Sequence, residues 1–376
     1  MGPIGAPPPS VSAPTPLPPP GASGPIKVAL LVPLSGQNAD LGKSMLEAAQ
    51  LALFETGGDR LTLVPRDSGG TAESAAGAAR AVLSEGVKLI IGPLLAAEVE
   101  GVKPVARDAR INVIAFSTLT QLGGDNVFLM GFLPRDEVRR EVSYARERGL
   151  SRFAALVPKT PYGQVMADAL REAVTSGGGT VSRIELFDPR SPDSAIKRLL
   201  AGGKPPGAAG APPPGAGEGF EALLLPEGGD QLKQIAKQLR QSLDENQVRL
   251  LGSGLWDDPS ISNEPALYGS WYAASPPAAR RDFDARFQKT YSHVPPRLAS
   301  LAFDSAALAA ALAKAGDDDP FPRQAILNPA GFTGVDGLFR FTPDGLVQRG
   351  LAVIEVGPAG VTVVSPAPRS FPDLAY

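Results

Sequence analysis

The residues that could do chemistry in this chain are few, and their types exclude most catalytic arrangements. There is no cysteine and one histidine. Thiolate nucleophiles, disulfides and thiolate metal sites are therefore excluded, and a Ser–His pair would depend on that single imidazole. The histidine, His293, stands in Ser-His-Val-Pro-Pro-Arg, between an amphipathic stretch and a proline pair, which reads as a surface loop. No GxSxG nucleophile turn and no HExxH pattern is present. Asp317-Asp318-Asp319 precedes Pro320 and reads as a solvated turn rather than a metal cluster. Gly42-Lys43-Ser44 follows a strand pattern and opens a helix pattern, as a phosphate-binding loop would. The nearest upstream glycine, Gly36, leaves five intervening residues where that motif needs four. No GxGxxG follows a strand. These absences point to a protein that is not an enzyme and uses no cofactor or metal.

What remains is a set of polar loops after apolar, β-branched runs, where open α/β sheets bind ligands. They supply Ser35 after 28–34, Ser117, Thr118 and Thr120 after 111–117, and Tyr162 after 152–158. Glu227 closes 221–227, and Trp256 and Asp257 follow 248–254. Hydroxyls and free amides at a helix start can hold an anion, although Ser, Thr and Asp are equally ordinary helix caps. Tyr162 and Trp256 could wall the apolar part of a ligand, because large aromatics at loop starts have no evident core to fill. These eight residues are the expected ligand-binding set, for a small polar ligand.

The elements that must position them repeat. Residues 27–54 (KVALLVPLSGQNADLGKSMLEAAQLALF) and 152–178 (RFAALVPKTPYGQVMADALREAVTSGG) share one plan: an apolar run ending in Val-Pro, a polar loop, then a glycine-bearing amphipathic helix. Each continues through a second strand (61–67; 180–187), a second helix (71–85; 192–201) and a third strand (88–93; 221–227). Two successive βαβαβ units predict an α/β fold of two doubly wound lobes with mainly parallel sheets and a cleft between them. Further helices are predicted at about 98–109, 135–148, 231–244, 279–291 and 298–314. The C-terminal part reads as antiparallel strands GLFRF, LAVIEV and VTVV joined by turns at 342–345 and 357–360. Helices after 276 must find a sheet to cover, so the chain is expected to cross between lobes more than once.

The bulk numbers agree. The 376 residues, 43% hydrophobic and 20% charged, allow two or three domains, and a net charge of −3 without a basic patch argues against a nucleic-acid partner. The expected organisation is a Pro-rich tether over 1–25, a first lobe from 26–131 plus 276–335, a second lobe from 132–275 plus 336–366, and a tail over 367–376. A low-complexity insert at 202–219 interrupts the second lobe. The tether has neither a basic start nor an apolar core and is no signal peptide. A lipid anchor carried by a precursor would be the one route to a membrane.

Taken in order, VALLVPLSGQNADLG, LIIGPL, INVIAFSTLT, ALVPKTPYGQVMADAL, LASLAFDSAALAAAL and GLFRFTPDG resemble the type I periplasmic solute-binding proteins of the leucine/isoleucine/valine-binding family, over about 26–365. The resemblance implies a periplasmic protein of two lobes with three crossings that closes on a ligand and serves the membrane subunits of an ABC transporter. It further implies that Thr120 holds a ligand carboxylate and that Tyr162 stacks on the ligand. It also marks departures: Leu41 replaces an aromatic, Ala96-Ala97 a Ser-rich turn, and Gly254 the acid that pairs an ammonium, with Asp257 and Asp258 nearby. A pocket lacking those groups would leave a zwitterion's charges unpaired. The stretch LLGSGLWDDPSI…YGSWYAASPPAARRDFDARF…PPRLASLAFDS resembles a second branch, envelope lipoproteins that activate penicillin-binding proteins. That branch implies a surface-acting partner of a peptidoglycan synthase with a degenerate cleft.

Overall fold

The computed structural model describes residues 24–57, 60–201, 219–314 and 319–371. Nearly all of the expected tether (1–25) and insert (202–219), part of the tail, and Asp317 and Asp318 lie outside the described residues.

The chain opens with strands β1 (Ile26–Val32), β2 (Leu61–Asp67), β3 (Leu89–Ile91), β4 (Asn112–Ala115) and β5 (Val127–Leu129), alternating with helices α1 (Ala39–Thr56), α2 (Ala72–Ser84) and α3 (Ala96–Asp108). The strands form one parallel sheet in the order β2-β1-β3-β4-β5. Parallel sheets are covered on both faces, which is why Val28–Val32 reads as an unbroken apolar run and is wholly buried. The start of α2 is fixed by a reciprocal cap: Thr71 Oγ1 accepts the Ser74 N–H while Ser74 Oγ accepts the Thr71 N–H.

The chain then crosses to the second lobe. Helix α4 (Pro134–Glu147) leads into β6 (Arg152–Pro158), α5 (Pro161–Ser176), β7 (Thr180–Phe187), α6 (Asp193–Ala201), β8 (Ala222–Leu224), α7 (Gly229–Arg240), β9 (Arg249–Leu251) and β10 (Trp271–Ala274). It returns to the first lobe with α8 (Pro277–Tyr291), α9 (Ala299–Lys314), the short α10 (Arg323–Ile326) and the antiparallel strands β11 (Phe332–Gly334), β12 (Gly337–Phe341) and β13 (Val347–Arg349). The third crossing delivers β14 (Ala352–Gly357) and β15 (Gly360–Ser365) to the second lobe, whose sheet runs β15-β14-β10-β9-β8-β6-β7. The fold is thus the expected α/β pair of lobes with mainly parallel sheets and three crossings.

The C-terminal strands differ from the sequence reading. GLFRF and LAVIEV do not form a hairpin. Strand β12 pairs with Val347–Arg349, a strand too short to stand out, and LAVIEV pairs with β10 in the other lobe. Burial explains the split: Phe339, Phe341 and Val347 fill the first lobe's core, whereas Val353, Ile354 and Val356 fill the second's. Leu129 N–H also donates to Gly345 O at 2.7 Å, tying the small sheet to β5. The return to the second lobe therefore comes at about 350, not at 336.

The two repeated units share a steric device. A Cβ on Gly42 would lie 1.8 Å from Pro33 O, and one on Gly163 would lie 1.9 Å from Pro158 O. Each helix thus packs its first turn on the carbonyl that ends the preceding strand, an approach only glycine permits. Gly42 is a packing position and not part of a phosphate loop.

Candidate functional site

A cavity of about 670 Å³ opens between the lobes, at the carboxyl ends of both sheets. Its first-lobe wall comes from the loops after β1, β3 and β4: Leu41, Leu94, Leu95, Ala96, Phe116 and Leu119. Leu298 and Leu301 of the α9 start extend that apolar surface. The second lobe and the crossings supply Phe132, Glu137, Tyr162, Leu255, Asp257 and Ser275.

Charge gathers in one corner. Arg297, just before α9, donates from Nη1 to Asp336 Oδ1 at 2.8 Å and lies 3.3 Å from Asp257 Oδ2 through Nε. Asp336 belongs to the first lobe and Asp257 to the second, so one guanidinium joins the lobes across the cleft. It also donates to Ser275 Oγ at 3.2 Å and stacks 4.0 Å from the Phe132 ring centre. Asp336 is wholly buried, and Ser300 Oγ donates to it at 2.6 Å. Asp257 is raised by burial, against the opposing pull of Arg297 and Arg280.

Glu137, in the first turn of α4, is 8% exposed and lines the cavity. Its Oε2 accepts the Gly254 N–H at 2.9 Å, and a Cβ on Gly254 would lie 2.6 Å from Oε1. Burial pushes its carboxyl up to about 7, the Gly254 amide and Arg297 opposing that rise. One turn further along α4, Glu141 accepts the Ala273 N–H at 2.9 Å and is also raised by burial. Burial likewise raises the Tyr162 phenol, with Glu137 adding to the effect.

Of the eight residues expected from sequence, Ser117, Thr118, Tyr162 and Asp257 line this cavity. The other four lie elsewhere. Ser35 stands before the 3₁₀ turn 36–38, outside the cavity lining, where it helps to lower the Asp67 carboxyl. Thr120 is exposed and begins a 3₁₀ turn, outside the lining that Ser117, Thr118 and Leu119 of the same loop supply. Glu227 binds its own neighbour, the Gly228 N–H at 3.1 Å, and its carbonyl accepts Trp256 Nε1–H at 3.0 Å. Trp256, 1% exposed, does have a core to fill: it packs with Tyr272 at 6.4 Å between ring centres in the second lobe's interior. His293 stays outside the cavity and meets Glu47 Oε2 at 2.8 Å.

Sequence reasoning missed Glu137, Arg297 and Ser275. Glu137 and Ser275 lie at crossings between lobes, and Arg297 lies in the connection between α8 and α9. The partial signal was Pro134-Arg135-Asp136-Glu137, which opens the helix predicted at about 135–148. The acid beside Gly254 is present after all, delivered by α4 and not by the loop after β9. Among the described residues no cluster of His, Asp or Glu is suited to a metal, and no helix is long and apolar enough to cross a membrane.

Known proteins agree with this architecture. A family model described as periplasmic binding protein matches residues 25–360. The Leu/Ile/Val-binding protein BraC3 of Rhizobium johnstonii is 28% identical over 174 residues, 43% of this chain and 47% of that protein. The chain thus spans about half the length of the curated relatives it matches. Among solved structures, a putative branched-chain amino acid ABC transporter protein from Rhodospirillum rubrum superposes with a TM-score of 0.77 at 20% identity, covering 90% of this chain and 100% of that one. A solute-binding protein from R. palustris, solved with benzoate, gives 0.62 at 19% identity, covering 92% and 98%. The likenesses to these two structures establish the fold.

Proposed function

This chain belongs to the periplasmic binding protein family, and we propose that it captures a small, largely apolar ligand between its lobes in the periplasm. The captured ligand is handed on to ABC-type membrane subunits or to a sensor, with no chemistry done on it. The observation that carries this reading is the 670 Å³ cavity, lined from both lobes and carrying the buried Glu137. Ligand sites are concave, mainly apolar and furnished with a few fixed polar groups, and this cavity matches each term. The printed names of the relatives support it: BraC3 is called Leu/Ile/Val-binding, and the R. palustris protein holds benzoate. Both ligands join an apolar body to a small polar head. The peptidoglycan-synthase alternative requires a degenerate cleft. A roomy cavity with a buried acid in its lining gives that alternative no support.

The test is a thermal-shift screen of metabolites at millimolar concentration. A ligand present at a hundredfold excess over its Kd stabilises by roughly 3 kcal/mol, a shift of several degrees. Tyr162→Ala should remove the shift by opening the cleft wall. A screen with no shift for any compound overturns the reading.

A further inference from the structure

We propose that the ligand carries an ammonium group on an apolar body and has no carboxylate. This rests on the cleft being a ligand site and concerns which chemistry it accepts.

Glu137 is the first observation. It is more than nine-tenths buried, lines the cavity, and uses only one oxygen, Oε2, for the Gly254 amide. Its Oε1 has no hydrogen-bond partner among the described residues. That oxygen belongs to a residue lining the cavity, and a donor from the ligand would satisfy it. Arg297 does not fill that role: its donors go to Asp336, Ser300 and Ser275, and its Nε faces Asp257. The lining thus holds two acids, Glu137 and Asp257, against a single arginine that is already shared with Asp336. The ring of Tyr162, close enough to Glu137 to feel its charge, gives a cation a second favourable surface.

The second observation is the opposite wall, where an anion would have to bind. Leu95 N–H, at the start of α3, donates to Glu98 Oε2 at 3.0 Å, and Gly70 N–H to Glu98 Oε1 at 2.9 Å. An internal carboxylate, wholly buried, therefore already sits at that helix start. In the loop after β4, Leu119 N–H donates to Ser117 Oγ at 3.2 Å. With the Leu95 and Leu119 amides engaged and Glu98 behind them, a ligand carboxylate would meet two occupied amides and a like charge. The side chains offered there are mainly Leu94, Leu95, Ala96, Phe116 and Leu119, which suit hydrocarbon, with Ser117 and Thr118 as the hydroxyls between them.

Isothermal titration of the full chain near pH 8, above the Glu137 titration, with four probes sharing one body tests this. 2-Phenylethylamine should bind at least about tenfold tighter than phenylalanine, 3-phenylpropanoate or 2-phenylethanol. Glu137→Gln, which keeps an acceptor for Gly254, should abolish the amine's advantage over the alcohol while the unfolding transition stays cooperative. Tighter binding of phenylalanine or 3-phenylpropanoate overturns the proposal yet leaves capture in the cleft standing. No binding by any probe also overturns it, and the cleft reading falls with it only if the broad thermal screen is blank as well.

Discussion

The two walls of the cleft are built by different parts of the sequence. The first-lobe wall comes from the segments after β1, β3 and β4 and is mainly hydrocarbon, from Leu41 to Leu119, with Asn38, Ser117 and Thr118 as its polar members. The charged corner comes from segments that occur once: Glu137 at the first crossing, Ser275 at the second, and Arg297 ahead of α9. Duplication supplied two scaffolds and a space between them. Two of the polar groups, Glu137 and Ser275, stand where the chain passes from one lobe to the other, and Arg297 reaches an acid of each lobe.

Breaking that corner should cost the most. Arg297→Ala leaves the buried Asp336 without its partner and removes the contact to Asp257, so it should destabilise by about 3–5 kcal/mol. Denaturant unfolding measures this, and a loss below about 0.5 kcal/mol would mean Arg349 and Ser300 suffice to hold Asp336. The repeated scaffolds can be compared directly with Gly42→Ala and Gly163→Ala. Each forces a methyl against a strand-ending carbonyl, and each should cost about 3 kcal/mol. Similar losses sharpen the view that one packing device serves both lobes; a neutral Gly163→Ala would confine it to the first.

The acid at the first crossing gives a pH signature. Glu137 is raised from 4.5 to about 7, so in that window the native state holds more protons than the unfolded state, and stability falls as pH rises. The groups facing Glu137 are the Gly254 amide, Arg297, Asp136, Asp257, Tyr162 and Glu141. Glu137→Gln should flatten its part of the decline, roughly 2 kcal/mol between pH values of about 4.5 and 7. An unchanged pH profile would place the proton elsewhere, the next groups to replace being Glu141 and Asp304, a buried α9 carboxyl that burial also pushes up to about 7. The smallest effect belongs to Thr120→Ala. It should leave stability within about 0.5 kcal/mol and leave any ligand-dependent thermal shift unchanged, since Leu119 fills that part of the wall.

The fold was legible because hydrophobic period and loop chemistry were written twice, and Val-Pro followed by a helix-start glycine carried the same steric demand each time. The site was legible where it stood at the carboxyl ends of predicted strands: Tyr162 in the repeat itself, Ser117 and Thr118 after β4, and Asp257 after β9. Glu137 and Arg297 looked like unremarkable charges in amphipathic stretches, because nothing local shows that a helix will end against another lobe. Trp256 misled for the reverse reason. A loop start in sequence became an interior position once the turns after β9 folded over the second sheet. The final crossing was hidden by β13, three residues too short to compete with the obvious hairpin.

The third crossing has a consequence for how the molecule is made. Helix α1 packs on α9, and the first lobe's core is complete only with Phe339, Phe341 and Val347. On a ribosome, the apolar face of α1 therefore waits for about 250 further residues before its cover emerges. The second lobe is delayed further, until β14 arrives to flank β10. Neither half can mature as an independent N-terminal unit, so a nascent chain of this topology stays exposed almost to its last strand and is a natural client for whatever shields it during export.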